Sequence, residues 1–108
     1  MSYANVAFSA LAHPVRRQML DRLLGGPTTV NQLGSDHKLS PGAISQHLKV
    51  LEQAHMIRRT LKGRQHHIEL DERGFQPALS WAEKYAAYWG ENLESLGAFL
   101  AREKTDEP

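Results

Sequence analysis

The amino-acid sequence predicts a mainly α-helical fold with a small β-hairpin, and three observations predict it. Apolar residues recur at spacings of three and four in several segments, which are bounded by capping residues, prolines or glycines. Two short alternating segments, 57–61 and 65–70, enclose a glycine-containing turn. The last third of the chain carries a heptad-type apolar repeat. We therefore treat residues 1–103 as a single domain with one modest core, and residues 104–108 as a disordered tail.

The first two helices are predicted at residues 4–11 and 14–24. In the first, Val6, Phe8 and Leu11 are expected to be buried, and Pro14 both ends it and opens the second. The second helix is expected to point its arginines outward, and a Gly-Gly-Pro sequence ends it. Its inward residues are predicted to be Val15, Met19, Leu20, Leu23 and Leu24, and its outward residues Arg16, Arg17 and Arg22.

A third, short helix is expected from Val30 to about Asp36. Thr29 suits its N-cap and Gln32 the third helical position, which together fit a capping box. A link of four residues, in which Leu39 is expected to face the core, leads to a fourth helix. A helix, a short link and a second amphipathic helix make a helix-turn-helix, a motif whose second helix lies in the major groove of DNA.

The fourth helix, from Ser40 to about Ala54, carries the most informative pattern in the chain. Ser40 suits the N-cap and Pro41 the first helical position. Its predicted apolar face consists of Ile44, Leu48 and Leu51, and its opposite face of Gly42, Ala43, Gln46, His47 and Lys49. Small residues permit a close approach to DNA, and Gln and Lys reach base edges and phosphates. An ordinary surface helix is the alternative, and the flanking segments favour DNA.

A hairpin with a basic tip follows, and Lys62-Gly63-Arg64 forms its turn. Ile68 and Leu70 are expected to share one face. Four cations could lie along a phosphate backbone or reach into the minor groove: Arg58, Arg59, Lys62 and Arg64. The alternative is an exposed hairpin that its charges keep soluble.

The charges are distributed unevenly along the chain. Residues 13–66 hold nine Lys and Arg and three Asp and Glu, a net charge of +6, whereas residues 67–108 have a net charge of −5. A basic first part joined to an acidic last part indicates that one surface meets a polyanion.

A long terminal helix is predicted from about Pro77 to about Glu103. Its heptad-type seam consists of Leu79, Ala82, Ala86, Trp89, Leu93, Leu96 and Leu100. A second apolar stripe, to one side of the seam, consists of Trp81, Tyr85, Tyr88 and Phe99. Because one helix has only one core to pack on in so small a domain, two stripes favour a homodimer through the terminal helices. A monomer with one broad apolar face is the alternative. A ligand pocket lined by Trp81, Tyr85, Tyr88 and Trp89 is a further one.

Four segments in order resemble the ArsR/SmtB-type winged helix-turn-helix transcriptional repressors: ALAHPVRRQMLDRL, TVNQL, SPGAISQHLKVLEQAHMI and KGRQHHIEL. The resemblance implies a dimer of winged-helix domains that binds a pseudo-palindromic operator in double-stranded DNA and represses nearby genes. By position, the DNA-binding residues it implies are Ser40, Gly42, Ala43, Ser45, Gln46, His47 and Lys49 of the fourth helix, and Lys62, Gly63 and Arg64 of the wing.

The departures from this family concern metal. Its metal sensors often carry a Cys-x-Cys pair in the helix before the recognition helix, where this chain has VNQLGSDH and no cysteine. Others use Asp and His ligands on the terminal helix, which has no His here. The resemblance thus implies the branch without the cysteine site, with no metal, no cofactor and an unknown small-molecule effector. A repressor with a His/Asp zinc site and a winged helix that binds a protein partner stay as alternatives.

Other classes of protein find little support in the sequence. It contains neither a phosphate-binding loop with its lysine nor a Gly-x-Ser-x-Gly sequence, and we do not expect an enzyme. No apolar run is long enough to span a membrane, and the first residues lack the basic region of a signal peptide. Together with the absence of cysteine, these features predict a cytoplasmic protein.

Overall fold

A computed structural model describes residues 2–89, 97 and 100–102, and its fold is mainly α-helical with a small antiparallel sheet, as predicted. The helices are α1 (Tyr3–Leu11), α2 (Pro14–Leu23), α3 (Val30–His37), α4 (Pro41–Gln53) and α5 (Gln76–Trp89). The strands are β1 (Thr28–Thr29), β2 (Ile57–Lys62) and β3 (Gln65–Leu70). The chain forms two compact units, residues 1–78 and 79–108. Within the described ranges, no helix has the length and apolar character needed to cross a membrane.

The first unit has one hydrophobic core, to which α1–α4 and the sheet all contribute. The predicted apolar face of α4 is confirmed, because Ile44, Leu48 and Leu51 are all buried. The other buried apolar residues of this core are Ala7, Ala10, Met19, Leu20, Leu23, Leu33, Ala54, Met56, Ile57 and Ile68. Burial of one complete face fixes the rotation of α4 about its axis, and therefore also fixes which side chains it presents to solvent.

Two predicted helix caps are confirmed. The Ser40 hydroxyl oxygen accepts the Ala43 N–H at 3.2 Å, and the Thr29 hydroxyl oxygen accepts the Gln32 N–H at 3.1 Å. The Gln32 side chain does not complete the capping box, however. Its amide nitrogen donates to the Asp36 carboxylate at 2.9 Å, one turn further along α3.

The sheet has three strands in the order β1-β3-β2, all antiparallel. The hairpin is confirmed, with Lys62 paired to Gln65 and Gly63 at a φ of 65°, a conformation that favours glycine. Strand β1 has no counterpart among the predicted elements, because a two-residue strand is too short to show alternation. Thr28 pairs with Ile68, so that the inner strand of the hairpin is tied to the segment before α3.

Three side-chain predictions in α1 and α2 are wrong. Phe8 is exposed and α1 buries Ala7 and Ala10 instead, while Leu24 is 76% exposed just after α2. Arg16, predicted to point outward, is partly buried. Helical spacing explains the last result, since Arg16 precedes Leu20 by four residues and Leu23 by seven and so shares their face.

The chain after β3 returns to the end of α4 through a 3₁₀ turn, Glu72–Gly74. Asp71 is buried, its N–H donates to the Met56 carbonyl oxygen at 2.9 Å, and its carboxylate accepts two side-chain nitrogens of Arg73, at 2.6 and 3.0 Å. The hydrogen bond from Arg73 lowers the pKa of Asp71 from 3.8 to about 2.

The lowered pKa of Asp71 predicts a dependence of stability on pH. Because the carboxyl binds its proton less tightly in the folded chain, its contribution is complete above a pH near 3.8 and is lost as the pH falls towards about 2. We expect Asp71→Asn to remove this part of the acid dependence. Urea unfolding between these pH values measures it, and an equally steep pH dependence in the variant and the wild type would contradict the assignment.

Candidate nucleic-acid interface

The outward face of α4 brings together the residues predicted to bind DNA. Gly42, Ser45, Gln46 and Lys49 are exposed, on the side opposite the buried apolar face. Ser40 is exposed at the N-terminal end, where its hydroxyl oxygen is already used as the helix cap. This face is polar, free of large side chains at its N-terminal end, and suited to close approach by a groove of DNA.

Ala43 and His47 lie partly buried on one flank of this face. The His47 ring is 4.5 Å from the His13 ring, and its Nδ1 is 3.4 Å from Nη1 of Arg16. Burial lowers the pKa of His47 most, followed by the nearby His13 and Arg16. This cluster was not predicted from the sequence, although the position of Arg16 on the apolar face of α2 was a readable signal.

The cations of the hairpin fall into two groups. Arg58 pairs with Glu69 across the sheet at 3.5 Å, and Arg59 pairs with Glu52 near the end of α4. Lys62 and Arg64 are exposed at the tip, and no carboxylate of the described residues lies within ion-pair distance of either. The tip therefore presents uncompensated positive charge, while the two arginines at the base are largely neutralised.

Two other exposed cations lie on the helix-turn-helix, and neither of them has an ion-pair partner among the described residues. Lys49 projects from the outward face of α4, as predicted. Lys38 was not among the predicted DNA-binding residues. It is the C-cap of α3 and has the left-handed conformation, with a φ of 53°. The uncompensated positive charge of the first unit thus includes the wing tip and both helices of the motif.

Comparison with known proteins agrees with this arrangement. Residues 13–59 match the family model described as bacterial regulatory protein, arsR family. The chain is 40% identical over 100 residues to the HTH-type transcriptional regulator Rv2034 of Mycobacterium tuberculosis, covering 93% of this chain and 91% of that protein. It is also 34% identical over 77 residues to the transcriptional repressor SdpR of Bacillus subtilis, covering 71% and 86%. The chain belongs to the arsR family.

This arsR-family protein is similar to solved structures in its fold as well as in its sequence. The crystal structure of an ArsR family transcriptional regulator superimposes with a TM-score of 0.74 at 29% identity, covering 82% of this chain and 96% of that one. HlyU from Vibrio cholerae superimposes with a TM-score of 0.64 at 25% identity, covering 81% and 91%. The protein is therefore a winged helix-turn-helix, DNA-binding transcriptional regulator and not an enzyme.

Most of the predicted dimer seam of this arsR-family chain is exposed where the structure describes it. Leu79, Trp89 and Leu100 are about half exposed, Ala82 is exposed and Ala86 is partly buried. Leu93 and Leu96 of the seam, and Phe99 of the second stripe, lie outside the described residues. Trp89 of the predicted seam forms one row along α5 with Trp81 and Tyr85 of the predicted aromatic stripe. The ring centroids of Trp81 and Tyr85 are 4.7 Å apart, and those of Tyr85 and Trp89 are 5.6 Å apart.

The histidines of this arsR-family chain are dispersed. Among the residues that the structure describes, no three His, Cys, Asp or Glu side chains come together in a group that could hold a metal ion. His66 and His67 are consecutive on β3, which directs their side chains to opposite faces of the sheet. His13 and His47 do approach each other, but a cation, Arg16, lies beside them.

Proposed function

We propose that this arsR-family regulator is a homodimeric repressor that binds a pseudo-palindromic operator in double-stranded DNA near the genes it controls. The observation that carries the proposal is the exposed polar face of α4, with uncompensated cations on the same motif and at the tip of the adjoining wing. One similar protein, SdpR, is named a transcriptional repressor. Binding to chromosomal DNA would place the protein in the cytoplasm.

In this proposal α4 enters the major groove and the wing contacts the adjoining backbone. Small residues at the start of α4 allow close approach, Gln46 and His47 face base edges, and Lys49 contacts a phosphate or a base. The complete proposed contact set is Ser40, Gly42, Ala43, Ser45, Gln46, His47, Lys49, Lys62, Gly63 and Arg64. In a symmetric dimer the two copies of α4 enter successive major grooves, roughly 34 Å apart.

The apolar surface of α5 supports the dimer. No residue of α5 is buried in the single chain. Four large apolar or aromatic side chains of this helix are 41 to 53% exposed: Leu79, Trp81, Tyr85 and Trp89. A contiguous apolar surface of this kind is unusual on a monomer and is typical of a protein interface. We propose that a second copy of the chain covers it through the predicted seam, Leu79, Ala82, Ala86, Trp89, Leu93, Leu96 and Leu100.

An electrophoretic shift with DNA from just upstream of the protein's own gene tests the function, together with sedimentation of the free and bound protein. Specific retardation by a dimer is the expected result. Titration with metals in the same assay tests whether binding responds to them. Failure to retard any promoter fragment would contradict the proposal and favour a winged helix that binds a protein.

Arg64→Ala should weaken binding to operator and random DNA alike, because the wing tip is proposed to contact phosphates. The slope of log K against log salt should flatten by about 1 for each phosphate that the protein no longer neutralises. Titrations at several salt concentrations measure both effects.

Arg58→Ala is the matched control, because it removes an arginine from the same hairpin whose charge Glu69 already compensates. It should change the salt dependence of DNA binding less than Arg64→Ala does. Equal effects of the two substitutions would remove the wing tip from the proposed interface.

A further inference from the structure

A cluster of three side chains joins the C-terminal end of α1, the N-terminal end of α2 and the recognition helix. Arg16 donates from Nε to the Ala10 carbonyl oxygen at 2.7 Å and from Nη2 to the Ser9 carbonyl oxygen at 3.0 Å. Its remaining nitrogen, Nη1, lies 3.4 Å from Nδ1 of His47. The guanidinium is thus held on carbonyls of α1 and directed at a ring of α4.

This contact decides which nitrogen of His47 carries the proton. A guanidinium can only donate hydrogen bonds, so Nδ1 of His47 must accept, and the neutral ring then carries its hydrogen on Nε2. A hydrogen on Nδ1 would instead point at a cation. Burial of the ring, with His13 and Arg16 beside it, lowers the pKa of His47 and favours the neutral form.

His13 is fixed by the same logic. It is the N-cap of α2, and its Nδ1 accepts the Val15 N–H at 3.1 Å, so that Nδ1 has no hydrogen of its own to donate. Its ring packs on His47 at an interplanar angle of 58°. Among the described residues, the ionisable groups that act on the His47 ring are His13, the N-cap of α2, and Arg16, within α2. The two carbonyls that hold Arg16 belong to α1.

We propose that Arg16 is a positioning residue for DNA recognition, which holds His47 as a neutral ring protonated on Nε2, so that His47 meets DNA as a hydrogen-bond donor. The inference rests on the proposed placement of α4 in the major groove. Such a donor selects an acceptor, namely a purine N7, guanine O6, thymine O4 or a phosphate oxygen, and not the amino groups of adenine and cytosine. Arg16 then contributes to recognition without touching DNA.

Two substitutions of His47 separate the roles of its nitrogens. In His47→Gln the side-chain amide reaches the position of Nε2 and can donate there. In His47→Asn the shorter side chain keeps an acceptor for Arg16 but ends short of that position. We expect His47→Gln to retain operator affinity within about threefold and His47→Asn to lose about tenfold or more, the loss of one hydrogen bond to DNA. Equal losses in the two variants would overturn the proposal.

Arg16→Lys tests the positioning role. It keeps the charge but removes the planar fork that reaches α1 and α4 together. We expect it to lower thermal stability both with and without His47→Gln, because both backgrounds lose the hydrogen bonds to the α1 carbonyls. It should weaken operator binding several-fold with His47 present and have little effect in the His47→Gln background. An equal loss of affinity in both backgrounds would show that Arg16 acts only on the fold.

Nitrogen-15 NMR of the histidine rings tests the proton position without DNA. Near neutral pH, His47 should show an unprotonated Nδ1 in the wild type and a mixture of tautomers in Arg16→Lys. A protonated Nδ1 in the wild type would contradict the inference even if the protein binds its operator. A protein with the expected tautomer that binds no promoter fragment would instead contradict the proposed function.

Modified operators identify the acceptor. If His47 donates to a purine N7, one 7-deazapurine substitution in each half-site should weaken the wild type and have no further effect on His47→Asn. If it donates to a phosphate, one methylphosphonate should do so. If it donates to guanine O6 or thymine O4, a base that lacks that oxygen, 2-aminopurine or 5-methyl-2-pyrimidinone, should weaken the wild type in the same way. A scan with all four modifications in which none distinguishes the wild type from His47→Asn would overturn the hydrogen bond to DNA.

Discussion

Gly74→Ala should lower the free energy of unfolding by about 3 kcal/mol, towards the upper end of the range for overpacking. A Cβ at this position would overlap the Ala54 carbonyl oxygen and the His55 carbonyl carbon. These are backbone atoms at the end of α4, so they cannot be displaced by rotating a side chain. The turn that carries Gly74 would have to move away from α4. Urea unfolding followed by circular dichroism measures the loss.

Gly42→Ala is the control for this prediction. It adds the same methyl group to a glycine of α4 that has no heavy atom within 4 Å of the new Cβ position. Because alanine is the better helix former, stability should be unchanged or raised by up to about 1 kcal/mol. A loss of stability in Gly42→Ala comparable to that in Gly74→Ala would show that the close packing of Gly74 is not the cause.

Gln46→Ala should cost roughly 1–3 kcal/mol of operator affinity and little affinity for random DNA, if Gln46 reads a base. The side chain is exposed near the middle of the outward face, where no described side chain competes for its amide. A glutamine amide can donate and accept together at an adenine edge, which gives discrimination that a single contact lacks. Parallel titrations of operator and random DNA measure the difference.

Gln53→Ala provides a matched control on the same helix. Gln53 is exposed on the same side of α4, two turns further on, where the helix ends. In a helix-turn-helix the N-terminal part of the recognition helix contacts the bases, so this substitution should leave operator affinity nearly unchanged. Equal losses of affinity for operator and random DNA in Gln46→Ala would show that Gln46 does not read bases.

The recognition helix is the part of the fold that the sequence predicted best. Its boundaries, its cap at Ser40 and its buried face were all readable, because each depends on residues within a few positions of one another. The hairpin was readable for the same reason, since alternation and a glycine turn are local patterns. The family could be inferred because these elements occur in a fixed order.

The errors concern side chains whose surroundings come from another part of the chain. Phe8 is an apolar residue of α1 and Leu24 is the apolar C-cap of α2, but both are exposed in the folded chain. Arg16 has the sequence character of a solvent-facing cation, whereas the carbonyls of α1 and the ring of His47 provide it with polar partners inside the fold. Hydrophobicity alone therefore predicted the wrong exposure for all three.

The sequence by itself determined the order of the elements, the face of α4 that points to solvent and the basic character of the wing. The tertiary structure decided which cations are compensated, since Glu52 and Glu69 reach their arginines only after the chain folds back. It also brought His13 and Arg16, at the start of α2, against His47 of α4, a residue that is distant from both along the chain. The physical reason is one of range: helix and turn preferences act between near neighbours, whereas ion pairs and proton positions depend on what packing brings into contact.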